Sequence, residues 1–289
     1  MHYIVSGGSG FIGSALVKRL VKDGHIVTVL DNNSRGDIYR LSSVISKIKF
    51  YECDIRNTNE VIKFTKGADS FIHLAAINGT ENFYKDPEKV LDIGVRGILS
   101  AIDSCRNNNI KELIVASSSE AYQTPSIVPT PEEVPLIIPD VMNSRYSYGG
   151  SKIISELLAI NYGRKDFNRV MIFRPHNVYG PNMGWEHVIP NFITKINQNI
   201  INNNSNYVNL EIQGDGTETR AFIYIDDFID GLIKVYDRAN NLEIYNIGTN
   251  EEISIEDLAK KVGSYFNKKI KILPGEIQKG STKRRCPDI

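Results

Sequence analysis

Apolar positions along this chain follow two alternating periods. Runs such as Tyr3-Ile4-Val5, Ile26-Val27-Thr28-Val29-Leu30 and Leu113-Ile114-Val115-Ala116 are continuously apolar or nearly so, as in strands buried on both faces. Between them, Ala15-Leu16-Val17 with Leu20-Val21 repeats at three and four residues, the period of a helix with one buried face. The pattern predicts strands over 2–6, 25–31, 48–52, 69–74, 111–117 and 168–174, and helices over 11–23, 57–66, 87–109 and 149–165. Strands that alternate with helices imply right-handed crossovers, so the expected class is α/β, a doubly wound parallel sheet covered on both faces. Ligands of such sheets bind at the carboxyl ends of the strands, near the switch point of strand order. Ser117 to Glu120 and His73-Leu74-Ala75-Ala76 fall at such ends. Five prolines between residues 125 and 139 predict an extended, ordered loop that walls the site. The asparagine-rich stretch from Asn197 to Asn209 reads as an exposed loop.

The turn from the first strand to the first helix is Ser6-Gly7-Gly8-Ser9-Gly10-Phe11-Ile12-Gly13. In that setting Gly7, Gly10 and Gly13 permit a tight bend, close approach of backbone to a pyrophosphate, and close packing of helix on strand. The second strand ends in Asp31, where a dinucleotide fold places the carboxylate for the adenosine ribose hydroxyls. This favours NAD over NADP, and Arg35 then reads as a loop residue rather than the partner of a 2′-phosphate. Farther on, Tyr148 and Lys152 stand four apart and share one helix face. A phenol titrates near pH ~10, so it needs an ammonium or a cationic nicotinamide ring nearby to act as a base at neutrality. Lys152 can supply that charge. Alone the spacing better suits an exposed polar face; the glycine turn and Ser117-Ser118-Ser119-Glu120 turn the reading to an acid/base couple.

Composition narrows the setting. With 289 residues, 41% hydrophobic and 24% charged, the chain has the length and make-up of a globular enzyme. Lys plus Arg equals Asp plus Glu at 34 each, so no overall field draws in nucleic acid or an anionic membrane. No leader pattern and no long apolar segment is visible, and a cytoplasmic location is expected. Cys53, Cys105 and Cys286 are widely spaced and fit reduced thiols, and the five histidines lack ligand spacing, so no metal is expected.

These motifs together resemble the extended short-chain dehydrogenase/reductases, in particular the NAD-dependent nucleotide-sugar epimerases, dehydratases and decarboxylases. The likeness runs nearly end to end and includes Asp54-Ile55, Arg174-Pro175-His176-Asn177-Val178-Tyr179-Gly180-Pro181, Arg220-Ala221-Phe222-Ile223-Tyr224-Ile225-Asp226-Asp227 and Arg285-Cys286-Pro287-Asp288-Ile289. It implies an NAD-binding Rossmann domain over 1–175, with a return segment near 215–248, and a smaller C-terminal substrate lobe over 176–289. Family members usually continue past the Pro-Asp-Ile motif, so that lobe is expected to be short here.

By motif, Phe11, Ile12, Asp54, Ile55, Leu74, Ala75 and Ala76 would join the glycines and Asp31 around NAD. Ser119, Arg145, Asn177, Arg220 and Arg285 would face a nucleotide-diphosphate sugar, the last two neutralising its pyrophosphate. Tyr148, Ser118 and Lys152 would act together in oxidising the sugar at C4. Glu120 would be either the base for a neighbouring C–H proton in epimerisation or dehydration, or a strand-end carboxylate paired with an arginine such as Arg145. Alternatives are a decarboxylase, a 4-dehydrogenase that keeps NADH, and a regulator that binds dinucleotide without turnover. The family also implies a homodimer built on helices 87–109 and 149–165.

Overall fold

The computed structural model describes residues 1–202 and 205–289. Its first half is built from β1 (His2–Ser6), α1 (Phe11–Lys22), β2 (Ile26–Asp31), β3 (Ile48–Glu52), α2 (Thr58–Phe64) and β4 (Ser70–His73). There follow α3 (Thr80–Lys85), α4 (Pro87–Asn107), β5 (Glu112–Ala116), α5 (Ser147–Asp166) and β6 (Arg169–Pro175). The apolar periods thus place every expected strand and helix of this half within two residues of its ends, because burial on a parallel sheet rewards the same pattern the sequence carries. The short helix α3 had no counterpart in the expectation.

The second half contains β7 (Val178–Tyr179), α6 (Val188–Asn202), β8 (Tyr207–Gln213), β9 (Thr219–Ala221), β10 (Ile223–Tyr224) and α7 (Ile225–Arg238). It ends with β11 (Glu243–Ile247), β12 (Glu252–Ser254), α8 (Ile255–Tyr265), β13 (Lys269–Gly275) and β14 (Arg284–Arg285). The loop expected over 197–209 is a correction. Residues 197–202 complete α6 and 207–209 open β8, while 203 and 204 lie outside the described residues. Composition misled there: Phe192 and Ile196 sit on the buried face of α6, and Val208, Leu210 and Ile212 alternate inward along β8.

Seven strands form one sheet in the order β11-β6-β5-β4-β1-β2-β3, and every pairing in it is parallel. The chain runs outward from β1 to β2 and β3, then returns to the other side of β1 for β4. That reversal opens a crevice at the carboxyl ends of β1 and β4. Apolar side chains cover both faces. Leu16, Val17 and Leu20 of α1 and Phe228, Ile229 and Leu232 of α7 pack on one, and Ile98 and Ile102 of α4 with Ala159 of α5 pack on the other. A separate cluster joins α6, β8 and α8 through Phe192, Ile196, Leu210 and Leu258. Among the described residues no helix is long and apolar enough to cross a membrane.

Candidate active site

A single cleft runs from the glycine turn, past the ends of β4 and β5, to Arg285 in β14. Its dinucleotide end is shaped by what glycine leaves out. Gly7 has φ +73, and a Cβ there would lie 2.8 Å from the Ala75 nitrogen; a Cβ on Gly13 would lie 2.1 Å from the Gly7 carbonyl. Only glycine lets β1, α1 and the end of β4 meet this closely. Helix α1 begins at Gly10 with no side-chain cap, so its first amides remain available to an anion. Asp31 accepts hydrogen bonds from the backbone nitrogens of Ser9 and Asn33, both at 2.9 Å, and borders the cleft. Phe11, Ile12, Asp54, Ile55, Leu74, Ala75 and Ala76 line the same space. Asp54 also pairs with Arg56 at 2.6 Å. This donor and carboxylate set fits a dinucleotide with a free ribose diol.

Arg35 does more than occupy a loop. It donates to the Asn78 carbonyl and pairs with Glu186 from the segment before α6, spanning the mouth of the cleft. Those partners lie 43 and 151 residues away in sequence, so no local pattern announces them.

At the reactive end, Ser118 follows β5 and its hydroxyl accepts from the Glu120 amide at 3.1 Å, fixing the tight turn Ser119–Tyr122. Tyr148 lies in the first turn of α5 with its ring stacked on Phe83, centroids 5.1 Å apart. Lys152 donates to the Ala116 carbonyl at 2.7 Å, and its nitrogen stands 5.6 Å from the centre of the Tyr148 ring. Burial pushes the Tyr148 phenol up to about 12, against a hydrogen bond with Ser118 that favours the phenolate. Burial lowers Lys152 to about 8, opposed by Glu156. Burial thus outweighs the Ser118 hydrogen bond at Tyr148, while the Lys152 ammonium stands over the ring and donates to a carbonyl.

The arginines divide. Arg285 pairs with Glu120 at 2.6 Å, and its Nε is buried with no hydrogen-bond partner. Burial alone would raise the Glu120 pKa, but Arg285, with Arg145 and Arg220 farther off, holds it below the ordinary carboxylate value. Arg145 is not the partner of Glu120; it donates to the Gly280 carbonyl at 3.1 Å. Arg220 donates to the carbonyls of Thr219 and Thr282, both at 2.7 Å, so these hydrogen bonds hold it within the β9 and β14 segment, and it does not line the cleft. Asn177, at φ 37, reaches the cleft wall while its amide donates to the Ala221 carbonyl at 3.0 Å. Ser119 lines the cleft beside Ser118. The structure thus brings Ser118, Ser119, Glu120, Tyr148, Lys152, Asn177 and Arg285 to one cleft and leaves Arg145 and Arg220 outside it.

The profile of the NAD dependent epimerase/dehydratase family matches residues 3–248. The chain belongs to that family. It is 30% identical to the UDP-N-acetyl-alpha-D-glucosaminuronate decarboxylase of Bacillus cytotoxicus over 96% of this chain and 84% of that one. A putative UDP-glucose 4-epimerase of Methanocaldococcus jannaschii is 33% identical over 88% of this chain and 79% of its own. The dTDP-glucose 4,6-dehydratase of Streptomyces venezuelae, solved with NAD bound, superposes with a TM-score of 0.87 at 25% identity, covering 100% of this chain and 88% of that chain. The protein is accordingly an NAD-dependent enzyme of the nucleotide-sugar epimerases, dehydratases and decarboxylases, whose common fold hosts three different second steps.

Proposed function

We propose that this enzyme oxidises C4 of a nucleoside diphosphate hexuronic acid and that the 4-keto acid then loses carbon dioxide. The pair Glu120–Arg285 carries this reading. Dehydration needs an acid for the departing hydroxyl, and the carboxyl beside Ser118 and Ser119, that of Glu120, is one that Arg285 keeps ionised. An ionised Glu120 paired with a guanidinium is also a weak base for a C–H proton. Breaking the C5–C6 bond needs neither group: its electron pair becomes the C4 enolate, and a proton from solvent later returns to C5. Arg285, with a buried and unpartnered Nε, suits the carboxylate of such a sugar. Similarity to the Bacillus decarboxylase supports the same choice.

In this scheme NAD, held by the glycine turn, Asp31 and Lys152, supplies a hydride acceptor at C4 and a donor afterwards. Tyr148 takes the C4 hydroxyl proton and Ser118 hydrogen-bonds the same oxygen. Both then stabilise the enolate oxygen with their hydroxyls. Asn177 contributes to the diphosphate side. A second reading, a 4-epimerase, draws on the Methanocaldococcus relative and on the fact that hydride return needs only Ser118, Tyr148 and Lys152.

Incubation with a panel of nucleoside diphosphate sugars, followed by mass spectrometry and proton NMR, separates the readings. Decarboxylation removes carbon dioxide and places one solvent deuterium at C5. An unchanged mass with inverted C4 would instead establish the epimerase, and loss of water the dehydratase. We also propose a homodimer through α4 and α5, which pack side by side and leave Leu91, Ile154 and Leu157 exposed.

A further inference from the structure

Beneath the cleft lies a buried polar network that the proposed chemistry does not use. Glu156 sits on α5 one turn beyond Lys152 and is 3% exposed. It accepts from Arg174 twice, from Nε at 2.8 Å and from Nη2 at 2.6 Å, and it also accepts from the Ser117 hydroxyl. Arg174, equally buried at the end of β6, donates onward to the Tyr122 hydroxyl at 2.6 Å and the Glu132 carbonyl at 2.9 Å. Tyr122 donates to Asn246 of β11 at 2.9 Å. Burial alone would lower the Arg174 pKa, but Glu156 and Tyr122 raise it above its ordinary value.

A buried ion pair is weak support for stability, because apolar residues of similar volume often replace one at no cost. Its placement is informative. Ser117 adjoins Ser118, Arg174 precedes the segment that carries Asn177 into the cleft wall, and Glu156 shares a helix face with Lys152. One carboxylate therefore bonds residues at the ends of two strands and lies one helical turn from Lys152, whose ammonium bonds Ala116, the neighbour of Ser117.

We propose that Glu156 is a positioning residue of the active site, whose carboxylate keeps the Lys152 ammonium charged and fixes the ends of β5 and β6 against α5. Lys152 stands over the Tyr148 ring and bonds the Ala116 carbonyl of β5; Glu156 one turn on along its helix and His73 of β4 are the titratable groups close enough to act on it through charge. Burial holds His73 down to about 3, so it is neutral over the relevant range. Among the described residues, Glu156 is then the anion that acts on Lys152, and its carboxylate is shared with Arg174.

The inference rests on the reading that Lys152 serves the site as a cation, but its test needs neither substrate nor turnover. Lysine labelled with carbon-13 at Cε is introduced into the whole protein, and the Lys152 signal is assigned by its absence in Lys152→Met. Titration should give a midpoint near about 8 in the wild type. Glu156→Gln removes the anion and leaves Arg174 unpaired, so the midpoint should fall by at least about one unit, the scale of a close charge in a partly polar interior. Glu156→Leu combined with Arg174→Met should fall less, and Glu156→Asp should stay close to wild type. If Glu156→Gln does not fold, the double variant carries the test. Coincident midpoints in wild type and either charge-removing variant that folds would overturn the proposal. A purely structural role would lower the melting temperature without moving the Lys152 midpoint. Failure of the functional reading is separable, because it would appear as full turnover in Tyr148→Phe whatever Lys152 does.

Discussion

Tyr148 is buried against Phe83, and burial pushes its phenol up to about 12 despite the Ser118 hydrogen bond. Replacing it by Phe removes a proton acceptor and no wall of the dinucleotide end. Tyr148→Phe should bind NAD within about threefold of wild type by calorimetry while sugar oxidation, read as NADH absorbance, falls by roughly 10²–10⁴. Turnover close to wild type would end the assignment. Asp31→Ala should weaken NAD by about 1–3 kcal/mol, the scale for losing hydrogen bonds to a charged acceptor; an unchanged affinity would place the ribose elsewhere. Glu120 makes a pH prediction. Its pKa is depressed in the folded state by Arg285, against burial, so its stabilisation is fully present above the unfolded value near ~4.3 and is lost as pH falls through the folded one. The gap in melting temperature between wild type and Glu120→Gln should therefore be wide at pH 7 and close on acidification. Tyr148, Lys152 and Asp31 were legible from the sequence because their partners are a helix turn or a strand end. The Glu120–Arg285 pair was not, since its members are 165 residues apart and Arg145 lay nearer in the chain.

The elements were legible wherever burial on the sheet imposed a period. Strands β1, β2, β5 and β6 are largely apolar runs because helices cover both their faces, the edge strand β3 is mixed and half-buried, and α1 and α4 show a stripe because each covers one face. Polar composition concealed α6 and β8, whose inward positions are apolar but whose outward ones include Asn197, Gln198, Asn209, Glu211 and Gln213. The strand-turn-helix unit at the start of the chain is the element most exposed to a single change. A Cβ on Gly13 would meet the Gly7 carbonyl at 2.1 Å and the Gly8 Cα at 2.8 Å, backbone on both counts, so no side chain can yield. Gly13→Ala should therefore push α1 away from β1, with a lower melting temperature and NAD affinity reduced at least tenfold. An alanine variant that binds NAD as wild type does would show that α1 has freedom the close contacts deny.

At the scale of the whole molecule, the same sheet that buries one side of α4 and α5 cannot cover the other. Val90, Ile98 and Ile102 are buried, and Leu158 and Ile160 are partly so, but Leu91 is 38% exposed, Ile154 37% and Leu157 57%. These three lie on neighbouring helices, and each carries a cost in water of order 25 cal/mol per Å² of apolar surface left uncovered. A second copy of the chain, related by a twofold axis, would present the same stripe and cover it. We expect a dimer at micromolar concentration by light scattering. Leu157→Glu places a charge at the most exposed of the three, facing its own symmetry mate or the neighbouring stripe, and should give a monomer. Residue 157 points away from the cleft residues Tyr148 and Lys152 on the same helix, and the whole cleft is built within one chain, so the monomer should keep NAD affinity within a few fold. A wild type that is monomeric at that concentration, or a Leu157→Glu variant that remains dimeric, would place the interface elsewhere and leave the stripe as ordinary exposed surface.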